Sequence, residues 1–464
     1  MQTFDPLPGT QGVPLDFAIL GGGAAGTLAA IHLLQAHAGR IRLAVIEPRG
    51  ALGEGVAYST SDPGHLLNVV AGGMSAFPAD PLHFVRYLAR SGRVDGLGEG
   101  AEATLAERYV PRMEYGRYLR DTLAGLAPAP LHLRDEAVDV SRRSGESGPW
   151  EARLASGRVV AARTVLLATG NFPRSLPLGE GAAVVDHAWD FDALATVPAE
   201  ADVAILGSGL SMVDALLSLA AGGHRGTVRV LSRHGLMPLP HVSGRGAAGD
   251  VEDLLPLGVR ARMRVLRARA AAHAREGRPW QWTMDRLRPH GPRLWQSLGE
   301  AGQRRFLRHA HRYWDIHRHR IAPEVAAQVA ELQRTGRFRI EAGRIQSVTR
   351  CAGPGANRYE ITFRTRGSDR LDRVRVDRVF ACTGIETRLD RMPGELLPAL
   401  ARRGLAVAGP HGLGVATDRH GALLDRDGRA QRDLLAIGSL RIGELWETTA
   451  VPELRLQAAA LAER

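Results

Sequence analysis

The chain has 464 residues, 44% hydrophobic and 23% charged, the makeup of a globular protein long enough for two or three domains. No apolar run approaches the roughly 20 residues of a bilayer span, and two cysteines far apart in sequence, Cys351 and Cys382, argue against a disulfide framework and for a reducing, cytoplasmic setting. The formal charge of +11 rests on arginine alone, since all 60 basic residues are Arg and none is Lys; this removes Schiff-base and P-loop lysine chemistry and, with no nucleic-acid-binding pattern beside it, reads as compositional bias.

The opening MQTFDPLPGTQGVPLD has neither a basic nor an apolar leader region, so secretion is not expected. The first informative stretch is DFAILGGGAAGTLAAIHLL, Asp16 to Leu34. A short apolar strand, Phe17 to Leu20, meets a glycine turn and an alanine-rich helix opened by Ala24 and Ala25. Gly21, Gly23 and Gly26 stand at GxGxxG spacing, for a tight turn, a close backbone approach to pyrophosphate and helix–strand packing. The pyrophosphate would then sit on free N–H groups at the helix N-terminus. A second strand, Ile41 to Ile46, ends at Glu47, 21 residues after Gly26, where a ribose-binding carboxylate belongs.

Pro48 to Leu88 reads as a long ordered loop followed by a helix near Pro81 to Ala89, and long loops inside compact domains are usually functional. Asn68, Met74 and Ser75 are its candidates for cofactor contact. Tyr115, Tyr118, Leu119 and Leu123 stand near helical spacing within Arg108 to Leu126. Leu131 to Val140, Trp150 to Leu154 and Arg158 to Val160 suit a small antiparallel sheet laid across the main one. Arg163 to Pro173 is a buried strand running into the turn Ala168-Thr169-Gly170.

A second motif follows in DVAILGSGLSMVDALLSLAAGG, Asp202 to Gly223. The strand Val203 to Leu206 leads into Gly207-Ser208-Gly209 and a helix, with Met212 in place of the third glycine. The next strand, Thr227 to Leu231, ends in Ser232-Arg233 without an acidic residue. A carboxylate there would favour NAD, whereas Ser232 and Arg233 leave room for a 2′-phosphate.

From Gly249 to Gly336, alanine, arginine and leucine recur at helical spacing, which predicts a helical insertion. The pairs His309/His311 and His317/His319 point to different helix faces, so no metal site is expected. Trp314, Arg318 and Arg320 are candidates for a wall near substrate, or equally for a helix–helix salt-bridge surface. Strands are expected at Phe338 to Ile340, Arg358 to Arg364 and Arg373 to Cys382, the last ending in a second turn of the same kind, Cys382-Thr383-Gly384. A final strand runs into Gly438, followed by a helix over Val451 to Leu461.

The expected fold is α/β, with two Rossmann-like dinucleotide-binding domains. A discontinuous FAD domain takes 1–190 and 345–464, and an NAD(P) domain takes 195–344, with the helical insertion at about 249–336. The paired motifs assign the first site to FAD and the second to the nicotinamide.

GGGAAG, LLNVVAGGMSAFPADPLHF, YVPRMEYGRYL, GSGLSMVD, SRHGLMPLPH, WDIHRHRIAP and GELWETTAVPE, spread over nearly the whole chain, resemble a bacterial group of two-dinucleotide flavoproteins. That group includes FAD-dependent urate hydroxylase and aspartate N-monooxygenase. The resemblance implies a monooxygenase taking NADH or NADPH and O₂ as co-substrates, acting through a C4a-hydroperoxyflavin on a small anionic substrate. Urate, converted to 5-hydroxyisourate, is its first expectation; N-hydroxylation of an amino acid such as aspartate is the alternative, and a flavin redox sensor a third. No nucleic-acid or membrane partner is implied, and no side chain is singled out as acid or base. Most such flavoproteins carry an aspartate after Gly438 for the ribityl chain, where this chain has Ser439. A helix N-terminus near Thr448 to Val451 would stabilise negative charge on the flavin. A disulfide reductase would share both motifs, but its closely spaced cysteine pair is absent.

Overall fold

The computed structural model describes residues 13–94, 102–143, 148–176, 178, 185–244, 246, 249–351 and 358–464. The opening stretch through residue 12 lies outside them. The chain forms two compact units, one of residues 1–61, 69–172 and 386–464, the other of 62–68 and 173–385.

The first unit is built on a parallel sheet. Its centre is Leu15–Leu20, paired with Leu43–Ile46 on one side and Val159–Leu167 on the other. Leu131–Leu133 extends it beyond Leu43–Ile46, and Ala430–Ala436 beyond Val159–Leu167, all in parallel. Such strands are covered on both faces and read as continuous apolar runs, as Leu43–Ile46, buried at every position, does. The helix Ala24–Ala36 carries no charged residue and buries most of its circumference, and it packs against the C-terminal helix Val451–Ala462.

Two expectations change here. Leu131–Leu133 joins the main sheet as its parallel edge, and only Ala137–Arg142 and Trp150–Leu154 form the antiparallel meander. The expected Arg158 to Val160 and Arg163 strands are one strand, Val159–Leu167; its first half pairs antiparallel with Trp150–Leu154 and its second half in parallel with Leu15–Leu20. No turn residue separates them, so the ladder simply changes partner.

The second unit has the sheet Asp186–His187, Arg378–Ala381, Val203–Leu206, Val228–Ser232 and Phe338–Arg350 in parallel, continued antiparallel by Tyr359–Thr365 and Leu371–Val376. Phe338–Arg350 runs for 13 residues with an irregularity between Ile345 and Ser347. Its first half belongs to the parallel ladder and its second to the hairpin. That continuity puts residues 345–385 in this unit, where the sequence expectation had given them to the first.

The helical insertion is present, from Val259–Arg275 through Gln281–Leu287, Gly291–Gln296, Gly299–His309 and His311–Arg318 to Pro323–Arg334. Its own core gathers Val251, Leu254, Met284, Leu287 and Leu294. Arg262 is buried beneath it without a carboxylate, donating to the carbonyls of Leu255, Leu257 and Leu294 and to Ser297 Oγ. Burial lowers its pKa, and four acceptors offset the cost of the desolvated charge. Among the described residues no helix is long and apolar enough to cross a membrane.

Candidate dinucleotide sites

In the first unit, Gly21 has φ +110°, and a Cβ there would lie 2.2 Å from the Ala168 carbonyl oxygen. Only glycine fits, so the turn after Leu15–Leu20 and the turn after Val159–Leu167 interlock. A Cβ on Gly26 would lie 1.9 Å from the Gly21 carbonyl, which fixes helix against strand. Gly23 caps the helix Ala24–Ala36 with no side-chain hydrogen bond, and its own Cβ would meet nothing nearer than Gly55 at 3.4 Å. The N–H groups of that first turn, with Ala24 and Ala25 beside them, therefore face outward for an anion. Glu47 is nearly buried, and its carboxylate accepts from the N–H of Gly22 at 2.8 Å and of Arg49 at 3.1 Å.

The neighbouring strand ends complete the cradle. Gly170 has φ +73° with open space around it, and Ser439 Oγ donates to its carbonyl at 2.7 Å. Serine thus ties two turns together. Thr448 Oγ1 donates to the Gly438 carbonyl at 2.9 Å, and a Cβ on Gly438 would sit 3.5 Å from that of Ala25. Thr169 Oγ1 and Asn171 Oδ1 are buried with no partner among the described residues. Orphaned polar atoms beside an open glycine backbone fit a polar cofactor.

The second unit repeats the device. Gly207 has φ +111°, and a Cβ there would lie 2.2 Å from the Cys382 carbonyl. Gly209 caps Leu210–Ala221 without a side-chain bond and in open space, while Met212 is wholly buried. Gly384 has φ +85° and is likewise open, with Thr383 Oγ1 donating to the Arg174 carbonyl at 2.7 Å. Ser208 Oγ stands 2.9 Å from Ser232 Oγ and 2.5 Å from the Leu236 carbonyl. Arg312, from the insertion, donates to the Ser208 carbonyl at 2.8 Å and to that of Leu236 at 2.5 Å. Arg233 is exposed, and Arg366 reaches the His234 carbonyl at 3.4 Å. Burial lowers the pKa of His234 first, and the charges of Arg366, Arg233 and Arg312 push it the same way.

Other predicted residues have different surroundings. Met74 is buried in the first unit, whereas Asn68 falls in the second, its carbonyl 3.0 Å from His241 Nε2. Trp314 packs against the insertion core, and Arg320 pairs with Asp285 over the Trp280 ring. Arg318 is buried in the same layer. The helix–helix alternative accounts for Trp314 and Arg320 without a ligand. His311 and His319 both approach Asp315, at 3.3 and 3.9 Å, and among the described residues no group of three or more potential ligands is placed to hold a metal. Sequence reasoning missed Arg312 and Arg366, which lie 76 and 130 residues beyond Leu236; among so many arginines neither carries a local signal.

Residues 18–172 match a family model described as FAD-NAD(P)-binding. No curated protein matches the sequence. Solved structures that share the fold include L-lysine 6-monooxygenase from Pseudomonas syringae, with TM-score 0.69 and 18% identity over 97% of this chain and 98% of that one. Ornithine hydroxylase from Pseudomonas aeruginosa gives 0.65 and 18% over 97% and 98%. Bacillithiol disulfide reductase from Bacillus cereus gives 0.54 and 15% over 97% and 98%. Residues 18–172 are thus an FAD/NAD(P)-binding domain, and 97% of the chain shares the fold of these solved structures.

Proposed function

We propose that the chain is an FAD-dependent, NADPH-using monooxygenase that N-hydroxylates a small amine, an amino acid or diamine. The observation that carries this reading is the doubled turn. Gly21 locked under Ala168 and Gly207 locked under Cys382 make two dinucleotide cradles in one chain, an arrangement suited to hydride traffic between two nucleotides. The unit of 1–172 and 386–464, interrupted at 62–68, would hold FAD on the N–H groups behind Gly23, with Glu47, Gly170 and Gly438 around it. The unit of 173–385 would hold the nicotinamide nucleotide on Gly207 to Gly209, with Thr383 and Gly384 alongside. FAD, when bound, supplies the hydride acceptance and oxygen activation that no side chain can. The protein's part is to bind, orient and keep water out.

Arg233, Arg312 and Arg366 around Ser232, with no carboxylate at that strand end, favour the 2′-phosphate of NADPH over the bare ribose of NADH. The amine reading is favoured over urate by the lysine and ornithine enzymes among the solved relatives. The disulfide-reductase reading lacks its cysteines: Cys382 is buried and its thiol pushed well up in pKa by that burial and then by Asp214, with Cys351 thirty-one residues away.

Oxygen uptake by the FAD-loaded protein with NADPH and a panel of ornithine, lysine, aspartate and urate tests this. Amine-stimulated uptake with a hydroxylamine product is expected. Stimulation by urate alone would replace the substrate, and NADPH oxidation giving only peroxide with every compound would overturn the monooxygenase.

A further inference from the structure

Four of the seven tyrosines lie in one ring-to-ring chain inside the first unit. Ring centroids are 4.8 Å apart from Tyr58 to Tyr115, 5.6 Å from Tyr115 to Tyr118 and 5.2 Å from Tyr118 to Tyr87. The chain starts on the short helix Gly55–Tyr58, whose Gly55 lies against Gly23 of the glycine turn. It ends at a half-buried ring whose hydroxyl donates to exposed Asp121 at 2.6 Å.

Packing alone would be served by phenylalanine, which already stands in the cluster at Phe84. Among the described residues the Tyr115 hydroxyl is buried with no partner, a feature that calls for a reason. The Tyr118 hydroxyl is placed with more care. It accepts from the Ala76 N–H at 3.1 Å, which leaves its own proton for His83 Nδ1 at 2.8 Å. Burial holds the Tyr58 and Tyr118 phenols protonated, pushing both to about 12, and first lowers His83, keeping that ring neutral and able to accept.

We propose that Tyr58, Tyr115, Tyr118 and Tyr87 form a relay carrying single oxidising equivalents from the flavin cradle to the surface, with His83 and Asp121 as its proton acceptors. The proposal rests on the monooxygenase reading for its source of oxidant, the hydroperoxyl radical formed when O₂ takes one electron and one proton. That radical takes an electron from the chain and a proton from water, becoming hydrogen peroxide. Tyr118 supplies the electron as its O–H bond breaks and an N–H bond forms at His83. An electron from Tyr87 refills Tyr118, His83 returns the proton, and the Tyr87 proton passes to Asp121, which releases it to neutralise the hydroxide left by the water that protonated the peroxide. A soluble thiol returns an electron and a proton to Tyr87, leaving a thiyl radical, and two of these join as a disulfide. Tyr115, with no acceptor for its proton among the described residues, is a ring through which the charge passes and on which it does not rest.

Blue light on the FAD-loaded chain tests the relay without any turnover, because an excited flavin draws an electron from the nearest aromatic ring. A neutral tyrosyl signal in electron paramagnetic resonance is expected, with a nitroso spin trap recovered on the Tyr87 peptide. Tyr87→Phe, near the surface and tolerant of the change, should leave the signal but stall it at Tyr118. His83→Gln should shorten its lifetime several-fold. Tyr118→Phe should empty the Tyr87 adduct. An unchanged Tyr87 adduct in Tyr118→Phe, or no tyrosyl signal in the parent chain, would overturn the relay. Hydroxylation is assayed separately, so a chain that shows the radical but hydroxylates nothing loses the monooxygenase and keeps the relay.

Discussion

The two glycine turns use the same backbone and opposite charges. Gly21 and Gly207 have φ of +110° and +111°, and each is pinned under the carbonyl of a neighbouring turn. The middle residue is then secured in contrary ways. At the first turn the N–H of Gly22 is taken by the carboxylate of Glu47. At the second the carbonyl of Ser208 is taken by the guanidinium of Arg312, with Asp315 behind it at 3.6 Å. A carboxylate beside the cradle suits a ribose that offers hydroxyl protons, while guanidinium groups suit a nucleotide with an additional phosphate. On the proposed reading, the shared geometry fits each turn to a dinucleotide and the charge fits them to different ones.

The largest effect should come from the residue the two turns do not share. A Cβ added by Gly26→Ala would meet the Gly21 carbonyl at 1.9 Å, backbone against backbone, so helix and strand must part. Loss of all bound flavin on gel filtration is expected, and a variant that keeps its full flavin absorbance would show that the packing rule does not govern this turn. Met212→Ala, at the matching place, removes a buried side chain and should cost about 2–5 kcal/mol in chemical denaturation while flavin stays bound.

Next in size is Arg312→Met, which strips a charged donor from two carbonyls. Charge-assisted hydrogen bonds contribute about 1.5–3 kcal/mol. The KM for NADPH should therefore rise on the order of tenfold to a hundredfold, with flavin content unchanged. A loss of flavin instead would mean that the charges are not partitioned between the turns. Glu47→Gln is the mirror experiment. The amide still accepts from Gly22 but without charge, so FAD should dissociate about tenfold more weakly held while the KM for NADPH stays put.

Most of this contrast was legible in the sequence on one side only. GxGxxG spacing, the strand before it and Glu47 at the end of the next strand are local, within one βαβ unit, and the structure places them together. The Ser232-Arg233 end of the second site was legible for the same reason. Arg312 and Arg366 were not, because each reaches the turn from an element far along the chain: one from a helix of the insertion, the other from the hairpin at the sheet edge. The split of 345–385 was missed because Phe338–Arg350 changes ladder partner in mid-strand at Gly343, a single glycine inside a continuous strand with no turn to mark the change. Trp314 and Arg320 stayed open between a substrate wall and a helix–helix surface, because their partners, the insertion core and Asp285, come only with tertiary structure.

The smallest effect concerns the carboxylate behind Arg312. Burial works to raise the pKa of Asp315, but His311, His319 and Arg312 outweigh it and hold the group below the ordinary carboxylate range. A depressed folded-state pKa means that the charge stabilises the fold above the unfolded value, about 3.9, and that this contribution is lost as pH falls through the folded value. Hydrogen exchange in the helix His311–Arg318 should accordingly quicken only below about pH 4. Asp315→Asn should bring the faster exchange to neutral pH and flatten its acid dependence. If parent and variant share one acid profile, Arg312 is held by the two carbonyls alone, and the second turn needs no carboxylate at all.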